Sequence, residues 1–366
     1  MKARRGIAKE RPESEDSVTT RNEALWRKIF FNWLITDPCL LIDEHKEDAK
    51  HLKNYQVQNQ EGLKYVFFCG GRFKTIKQKP INVLTGVLLV APAVLFWIFD
   101  AKWLCDHISP SLVVIFTYIW FLSFSYFVNA STSDPGTLPR NVHLPYKIDD
   151  ESTKAPEEYF STVSLPYKDE HTPVTVRYCS TCHIWRPPRT SHCSVCNSCI
   201  AALDHHCIFL NNCVGQRNHS VFLWFLLSTV TCCILLAILS FVQIFHYLMV
   251  SNSEIKTFRE SITKHPVAFL LAIYSLLGLV YPWMLLLCHL FLTSFNVTTR
   301  EYLSNYQTRG TVYSLFTSFN PNSTIKSLYL NWLGKPNGVS LIPMRDSYTR
   351  GDMRFEKVNP LQSFTV

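Results

Sequence analysis

Seven of the 13 cysteines fall between Cys179 and Cys213, in company with His192, Asp204, His205 and His206. Thiolates and imidazole nitrogens are the ligands zinc prefers, and a two-residue spacer lets two thiolates reach one ion at ~2.3 Å. The pairs Cys179/Cys182 and Cys193/Cys196 have that spacing, and Cys199 and Cys213 bring the number of cysteines to six without Cys207. Two closed tetrahedral sites need eight ligands, so His192 and one of His205 or His206 would complete two Cys3His sets. His192 and Cys193 are neighbours in the chain and ill-suited to one tetrahedral ion, which suggests that the two sites interleave.

Cys207 is then left over beside two histidines and an aspartate. A free thiol with a pKa of ~8.5 is mostly protonated at neutral pH, and a neighbouring base or positive charge is what makes it a nucleophile. A histidine supplies the base and an aspartate fixes its tautomer. The alternative left open by spacing is that Cys207 is a seventh ligating cysteine, in a membrane-anchored zinc scaffold without catalysis. His171, His183 and His219 read as surface residues or residues behind the ligands. A zinc-finger reader of nucleic acid would need a basic recognition helix, whereas "CIAALDHHCIFL" is apolar and acidic. A thiol oxidoreductase would need a resolving cysteine, and every nearby cysteine is claimed by zinc.

The elements that must hold this cluster are membrane helices. A bilayer core ~30 Å thick needs about 20 apolar residues per helix, and residues 81–99, 110–129, 221–245 and 266–292 qualify, none containing Lys, Arg, Asp or Glu. The flank before the first span carries Lys64, Arg72, Lys74, Lys77 and Lys79 with no acid, while "DAKWLCDHIS" after it reads as a loop with one lysine against two aspartates. By the positive-inside rule the N-terminus is cytosolic. The cysteines then lie on the reducing side of the membrane, where disulfides are a poor explanation for them. The net charge of +8 is mostly accounted for by the membrane flanks and does not argue for nucleic acid. The expected architecture is an α-helical polytopic membrane protein with four transmembrane helices and a cytosolic Cys-rich two-zinc domain between helices 2 and 3. Its parts are a cytosolic region 1–80, helices 1 and 2 in 81–129, a linker and zinc domain in 130–220 with its core at 177–219, helices 3 and 4 in 221–295, and a cytosolic tail 296–366. Leu25 to Trp33 suggest an interfacial or packed amphipathic helix, Asp134-Pro135-Gly136 a turn just outside the membrane, and no internal repeat stands out. Thr231, Cys232 and Cys233 in the third span read first as small packing residues, and otherwise as room for a lipid chain. Arg186, Arg189 and Arg217 could meet phosphates, and the first two could equally hold the zinc domain together.

Asp204-His205-His206-Cys207 inside this cysteine pattern, between the second and third of four spans, resembles the DHHC protein S-acyltransferases, or palmitoyltransferases. Further marks are Arg186-Pro187-Pro188-Arg189, Asn212-Cys213-Val214-Gly215, Asn218, Phe222, the Asp134-Pro135-Gly136 turn, and Thr298, Thr299 and Glu301 after the fourth span. The "FFCGGR" and "FFNWL" stretches are similar to the branch containing the yeast Ras palmitoyltransferase catalytic subunit, and likeness runs from Tyr65 to roughly Trp332. The resemblance implies one zinc on Cys179, Cys182, His192 and Cys199 and a second on Cys193, Cys196, His206 and Cys213, both structural. It implies Cys207 as nucleophile, His205 as base oriented by Asp204, and Thr299, with Thr298 as second choice, supporting Asp204. It implies ping-pong transfer from palmitoyl-CoA to Ras-type lipidated proteins at a membrane, an accessory subunit, no nucleic-acid partner, and the endoplasmic reticulum as location, with both termini and the active site cytosolic. Where the family often has Pro-Trp after the motif cysteine this chain has Ile208-Phe209, and Asn331 is the loose counterpart of an asparagine in the family's tail.

Overall fold

The computed structural model describes residues 35–36, 64–69, 73–77, 81–138, 140, 160–167, 170–250, 255–309 and 321–334. The amphipathic stretch Leu25 to Trp33 lies outside them. Among the described residues, four helices are long and apolar enough to cross a membrane: α1 (Ile81–His107), α2 (Pro110–Thr132), α3 (His219–Leu248) and α5 (Pro266–Ser294). A short helix α4 (Phe258–Lys264) precedes α5, and two helices follow it, α6 (Thr299–Arg309) and α7 (Pro321–Trp332).

The first span is longer than its apolar run. "DAKWLCDH" continues the helix through a π-helical turn at Phe96–Asp100, so Asp100 is buried inside a span and the connection to α2 shrinks to Ile108 and Ser109. No helix breaker falls between Asp100 and His107. Ser109 ends the connection as the N-cap of α2, its Oγ accepting from the Ser111 N–H, with Pro110 at the first helical position. Pro92 cannot supply the N–H that the Leu88 carbonyl expects, and the Tyr274 hydroxyl of α5 donates to that carbonyl at 2.6 Å instead. The Ser123 and Thr229 hydroxyls bond at 2.8 Å between α2 and α3. Phe127, Phe225, Leu226 and Leu286 form the core on the zinc-domain half of the bundle; Ala93, Phe96, Phe116, Leu239 and Leu271 form it on the other half.

Between α2 and α3, β4 (Phe160–Tyr167) pairs antiparallel with β5 (Glu170–Cys179), and β5 then opens three consecutive antiparallel hairpins: β5 with β6 (Ile184–Arg186), β7 (Ser191–Cys193) with β8 (Ser198–Ile200), and β9 (His205–Cys207) with β10 (Asn212–Val214). They repeat one plan every 14 residues, a periodicity not evident from the sequence alone. Cys179 pairs with Ile184, Cys193 with Ser198 and Cys207 with Asn212. Each turn ends in a left-handed residue, His183, Asn197 and Asn211, with φ of 50°, 52° and 50°. The repeat hides because its third copy has Leu210 where the first two have Cys182 and Cys196.

A further hairpin, β2 (Tyr65–Phe68) with β3 (Phe73–Ile76), packs on this domain, with β1 (Ile35–Thr36) at its edge. Tyr65, Phe67 and Ile76 share a core with Ile200, Leu203 and Cys213. Lys74 is therefore no surface flank charge: it is 1% exposed, and its Nζ donates to Asp134 Oδ1 at 2.7 Å and to Thr137 Oγ1 at 3.1 Å.

Candidate active site

The alternation of a β-strand sorts the cluster. Successive side chains point to opposite faces, so neighbours His192 and Cys193 on β7 serve different sets. Cys179, Cys182, His192 and Cys199 converge in one place, and Cys193, Cys196, His206 and Cys213 in another, as the interleaved expectation requires. Within the first set His192 Nδ1 lies 3.6, 3.3 and 3.8 Å from the sulfurs of Cys179, Cys182 and Cys199. Within the second, His206 Nδ1 is 3.5 Å from the sulfurs of both Cys196 and Cys213, which are 3.3 Å apart. Zinc bonds of ~2.0 to ~2.3 Å in tetrahedral geometry demand ligand separations of about 3.5 to 3.8 Å. Both donor sets fit that ion, and with four protein ligands each is of the closed, structural kind. Zinc bound there would cross-link the hairpins.

On β9 the same alternation turns His206 to the second set and gives His205 and Cys207 the opposite face. Cys207 stands at the place that Cys193 occupies in the preceding repeat, but buried Leu210 removes the second thiolate a zinc knuckle would need. His205 hydrogen-bonds Cys207 on one side, and on the other its Nδ1 meets Asp204 Oδ2 at 2.7 Å. Burial by itself would lower the His205 pKa; the bonds to Asp204 and Cys207 outweigh it and raise it to about 9. For buried Asp204 the balance again favours charge: desolvation pushes its pKa up, yet His205 holds it well below the usual carboxylate range.

Helix α6 aims its N-terminus at this aspartate. The Thr299 N–H donates to Asp204 Oδ1 and the Thr299 hydroxyl to Oδ2, both at 2.8 Å. The end of the helix is fixed by a capping box: Thr298 Oγ1 accepts from the Glu301 N–H at 3.1 Å, while the Glu301 carboxylate accepts from the Thr298 N–H at 2.9 Å. Arg189 holds Glu301 with both arms of its fork, at 2.7 and 2.8 Å, so this arginine ties the zinc domain to α6. Arg217 lies 3.7 Å from Asp134, and Arg186 is on β6 opposite Arg177. Buried Asp134 also accepts from the Gly136 and Thr137 N–H groups. Burial opposes its charge, but Lys74 prevails and its pKa falls to about 2.

The other motif residues hold the domain on the membrane helices. Asn212 Nδ2 donates to the Ala130 and Ser133 carbonyls at the end of α2, and Asn218 bonds the Gly215 N–H and the Cys213 carbonyl. A Cβ on Gly215 would sit 2.5 Å from the Pro135 carbonyl oxygen and 2.7 Å from Ile200 Cγ2, so only glycine fits. Asn331 bonds its own helix at the Ser327 carbonyl, while the neighbouring Trp332 carbonyl accepts from Trp224 Nε1 and docks α7 on α3.

Below Cys207 an apolar cavity of about 260 Å³ runs between α1, α2, α3 and α5, from Cys207 and Phe209 past Phe222 and Phe225 to Cys232, Cys233 and Leu236. Thr231 faces away, exposed, with its hydroxyl on the Leu227 carbonyl. Phe209 packs its ring 5.4 Å from that of Tyr281 at the mouth. One neighbour was missed by the sequence reading: His289, buried in α5, lies with its ring 5.9 Å from that of His205 and 5.1 Å from Phe222. A histidine in an otherwise apolar span was the available signal.

A model of the DHHC palmitoyltransferase domain matches residues 174–306, the stretch containing the zinc-binding hairpins, Cys207 and Thr299. Palmitoyltransferase ERF2 of Debaryomyces hansenii is 52% identical over 94% of this chain and 94% of its own length. Proteins of the same name from Saccharomyces cerevisiae and Eremothecium gossypii are 37% and 38% identical, over 98% and 93% of this chain and 94% and 89% of theirs. With likeness sustained from end to end around the Asp-His-His-Cys segment, this chain belongs to the DHHC palmitoyltransferase family.

Proposed function

We propose that Cys207 carries a long-chain acyl group from acyl-CoA, most readily palmitoyl-CoA, to cysteine thiols of membrane-associated proteins by a ping-pong route. The observation that carries this reading is the position of Cys207, with the Asp204–His205 pair behind it and an apolar cavity below it. In the first step the Cys207 thiolate attacks the thioester carbonyl, the bond to the CoA sulfur breaks, and the departing thiolate takes the proton held by His205. In the second, His205 removes a proton from the substrate thiol, whose sulfur attacks the acyl-Cys207 and releases the Cys207 thiolate. From Phe222 to Leu236 the cavity follows α3 for about 21 Å, room for a long chain whose head stays at the surface. Arg186 and Arg217 are proposed for the CoA phosphates, whereas Arg189 acts through Glu301. Zinc ions held by the two Cys3His sets would act as struts.

The Ras-type substrates, the accessory subunit and the endoplasmic reticulum rest on the likeness to the yeast Ras-acylating branch. A second lipid makes the anchoring of a singly lipidated protein stable, which gives such a reaction its use. The flank charges support cytosolic termini and a cytosolic active site. The test is incubation of the purified protein, with any co-purifying subunit, with labelled palmitoyl-CoA. Label that hydroxylamine releases from the wild type and that is missing from Cys207→Ser, at equal zinc content, is expected. Loss of zinc in Cys207→Ser, or full labelling of it, would return Cys207 to a structural role.

A further inference from the structure

His289 stands beside the catalytic pair, yet the acyl-transfer reading gives it no part. It lies in the apolar span α5, 3% exposed, and its Nδ1 has no hydrogen-bond partner among the described residues. A buried imidazole left so is costly, and an ionisable side chain inside a membrane segment marks a function. One donor atom from each of Asp204, His205 and His289 lies within 4.8 Å of the other two. Carboxylate and imidazole are ligands of zinc and of the divalent ions that resemble it.

The separations suit such an ion. Tetrahedral nitrogen and oxygen ligands at ~2.0 Å stand about 3.3 Å apart, and two imidazoles on one ion have ring centres about 5 Å apart. His205 Nδ1 donates to Asp204 Oδ2 across 2.7 Å, and the ring centres of His205 and His289 are 5.9 Å apart. Exchanging the shared proton for an ion therefore needs each pair to shift by less than about 1 Å. Three protein ligands leave the fourth position to water, which is the open kind of zinc site and unlike the two closed Cys3His sets. Asp204 and His289 are buried, but the His205 side chain is 30% exposed and gives the ion its way in.

We propose that Asp204, His205 and His289 form a third, regulatory metal site, which takes a zinc ion and switches acyl transfer off. The inference rests on the role given above to His205. On binding, the ion takes the place of the Nδ1 proton, which leaves to solvent, and His205 keeps only its Nε2–H toward Cys207. A metal-held imidazole gives up that proton less readily than an imidazolium does, and it has no free nitrogen to take one from a substrate thiol. Both steps of the transfer stop. With one carboxylate and a water in place of three thiolates, the site holds zinc more weakly than the structural sets, so it fills only when free zinc is abundant and empties first.

Self-acylation of the full chain, with any co-purifying subunit and both structural sets loaded, should slow by about tenfold or more once a third equivalent of zinc is bound. It should recover when a mild chelator removes that equivalent alone. His289→Gln should need about tenfold more zinc to reach half of its own inhibition. Cobalt added to the zinc-loaded protein should show the visible bands of nitrogen and oxygen ligands without thiolate charge-transfer absorption. Cys207→Ser keeps all three ligands and should bind this equivalent as tightly as the wild type, although it takes no label. Cobalt–thiolate absorption, or loss of the third equivalent in Cys207→Ser, would put the ion on Cys207 and overturn the proposal even if His289→Gln does not fold. So would equal inhibition of His289→Gln and wild type. A wild type that takes no label without added zinc would sink the acyl-transfer reading instead, and cobalt binding to Cys207→Ser, present or absent, would still decide the metal site.

Discussion

At the scale of single residues, the proposed chemistry hangs on a line of contacts from Thr299 through Asp204 and His205 to Cys207. With the His205 pKa raised to about 9, the imidazolium is the form that the folded protein favours. The stabilisation linked to that shift is complete below the ordinary histidine value of ~6.5 and is lost as pH rises through about 9. Self-acylation should therefore hold its rate to about pH 9 and fall above it. Asp204→Asn removes the charge that raises His205, so the upper limb should move to lower pH and the rate drop by ~10²-fold or more, measured in single-turnover acylation against pH. Thr299→Val deletes the hydroxyl bond but keeps the backbone one. A hydrogen bond to a charged group is worth ~1.5 to 3 kcal/mol, so a loss of about 10- to 100-fold is expected at unchanged zinc content. The sequence revealed these residues because type and spacing alone name them: a C-x2-C pair has few other uses, and Cys207 emerged by counting ligands. It could not say which of His205 and His206 faces the zinc, since that follows from the two-residue period of β9, which only its pairing with β10 establishes. Nor could it give His289, which reaches the site by the packing of α5.

At the scale of elements, one hairpin is made three times, twice with a cysteine ending its first strand and another in its turn, and once with Cys207 and Leu210 in those places. What aims the third copy is the set of struts around it, and the buried Lys74–Asp134 pair is the most exposed to test. Both partners are out of water, at 1% and 5% side-chain exposure. Removing one leaves an uncompensated buried charge, which typically costs ~3 to 5 kcal/mol, whereas replacing both by apolar groups can be nearly neutral. Lys74→Met and Asp134→Leu should each lower the unfolding midpoint and the yield of zinc-loaded protein, and the double variant should recover much of the loss. Equal or additive losses in the double variant would show that the pair does not act as a unit. The sequence misplaced Lys74 for a physical reason. A lysine in a basic stretch before a span reads as a headgroup charge, and only the folding of β2 and β3 onto the zinc domain takes it out of water. Similarly, the first span seemed to end at Asp100 because hydropathy falls there, yet backbone hydrogen bonding carries the helix to His107.

At the scale of the whole molecule, four spans and a zinc domain meet at one point, where Cys207 looks down a cavity that all four spans enclose. The spans were legible because bilayer thickness dictates their length, and the cavity was not, because it is the space that packing leaves between them. If the acyl chain lies there, the deep wall decides how long a chain fits. Each methylene denied burial forfeits ~0.8 kcal/mol, so losing room for two of them should cost about tenfold in rate or occupancy. Cys233 lines the cavity and its neighbour Thr231, on the same helix, does not. Cys233→Phe should therefore shift preference from palmitoyl-CoA to shorter donors, read as the ratio of hydroxylamine-labile label from equimolar acyl-CoA mixtures. Thr231→Phe adds the same bulk on the exposed side and should leave the ratio unchanged. A Cys233→Phe enzyme that slows with every donor alike would mean that the chain lies elsewhere, on the lipid-facing surface of the bundle, and that this cavity serves packing alone.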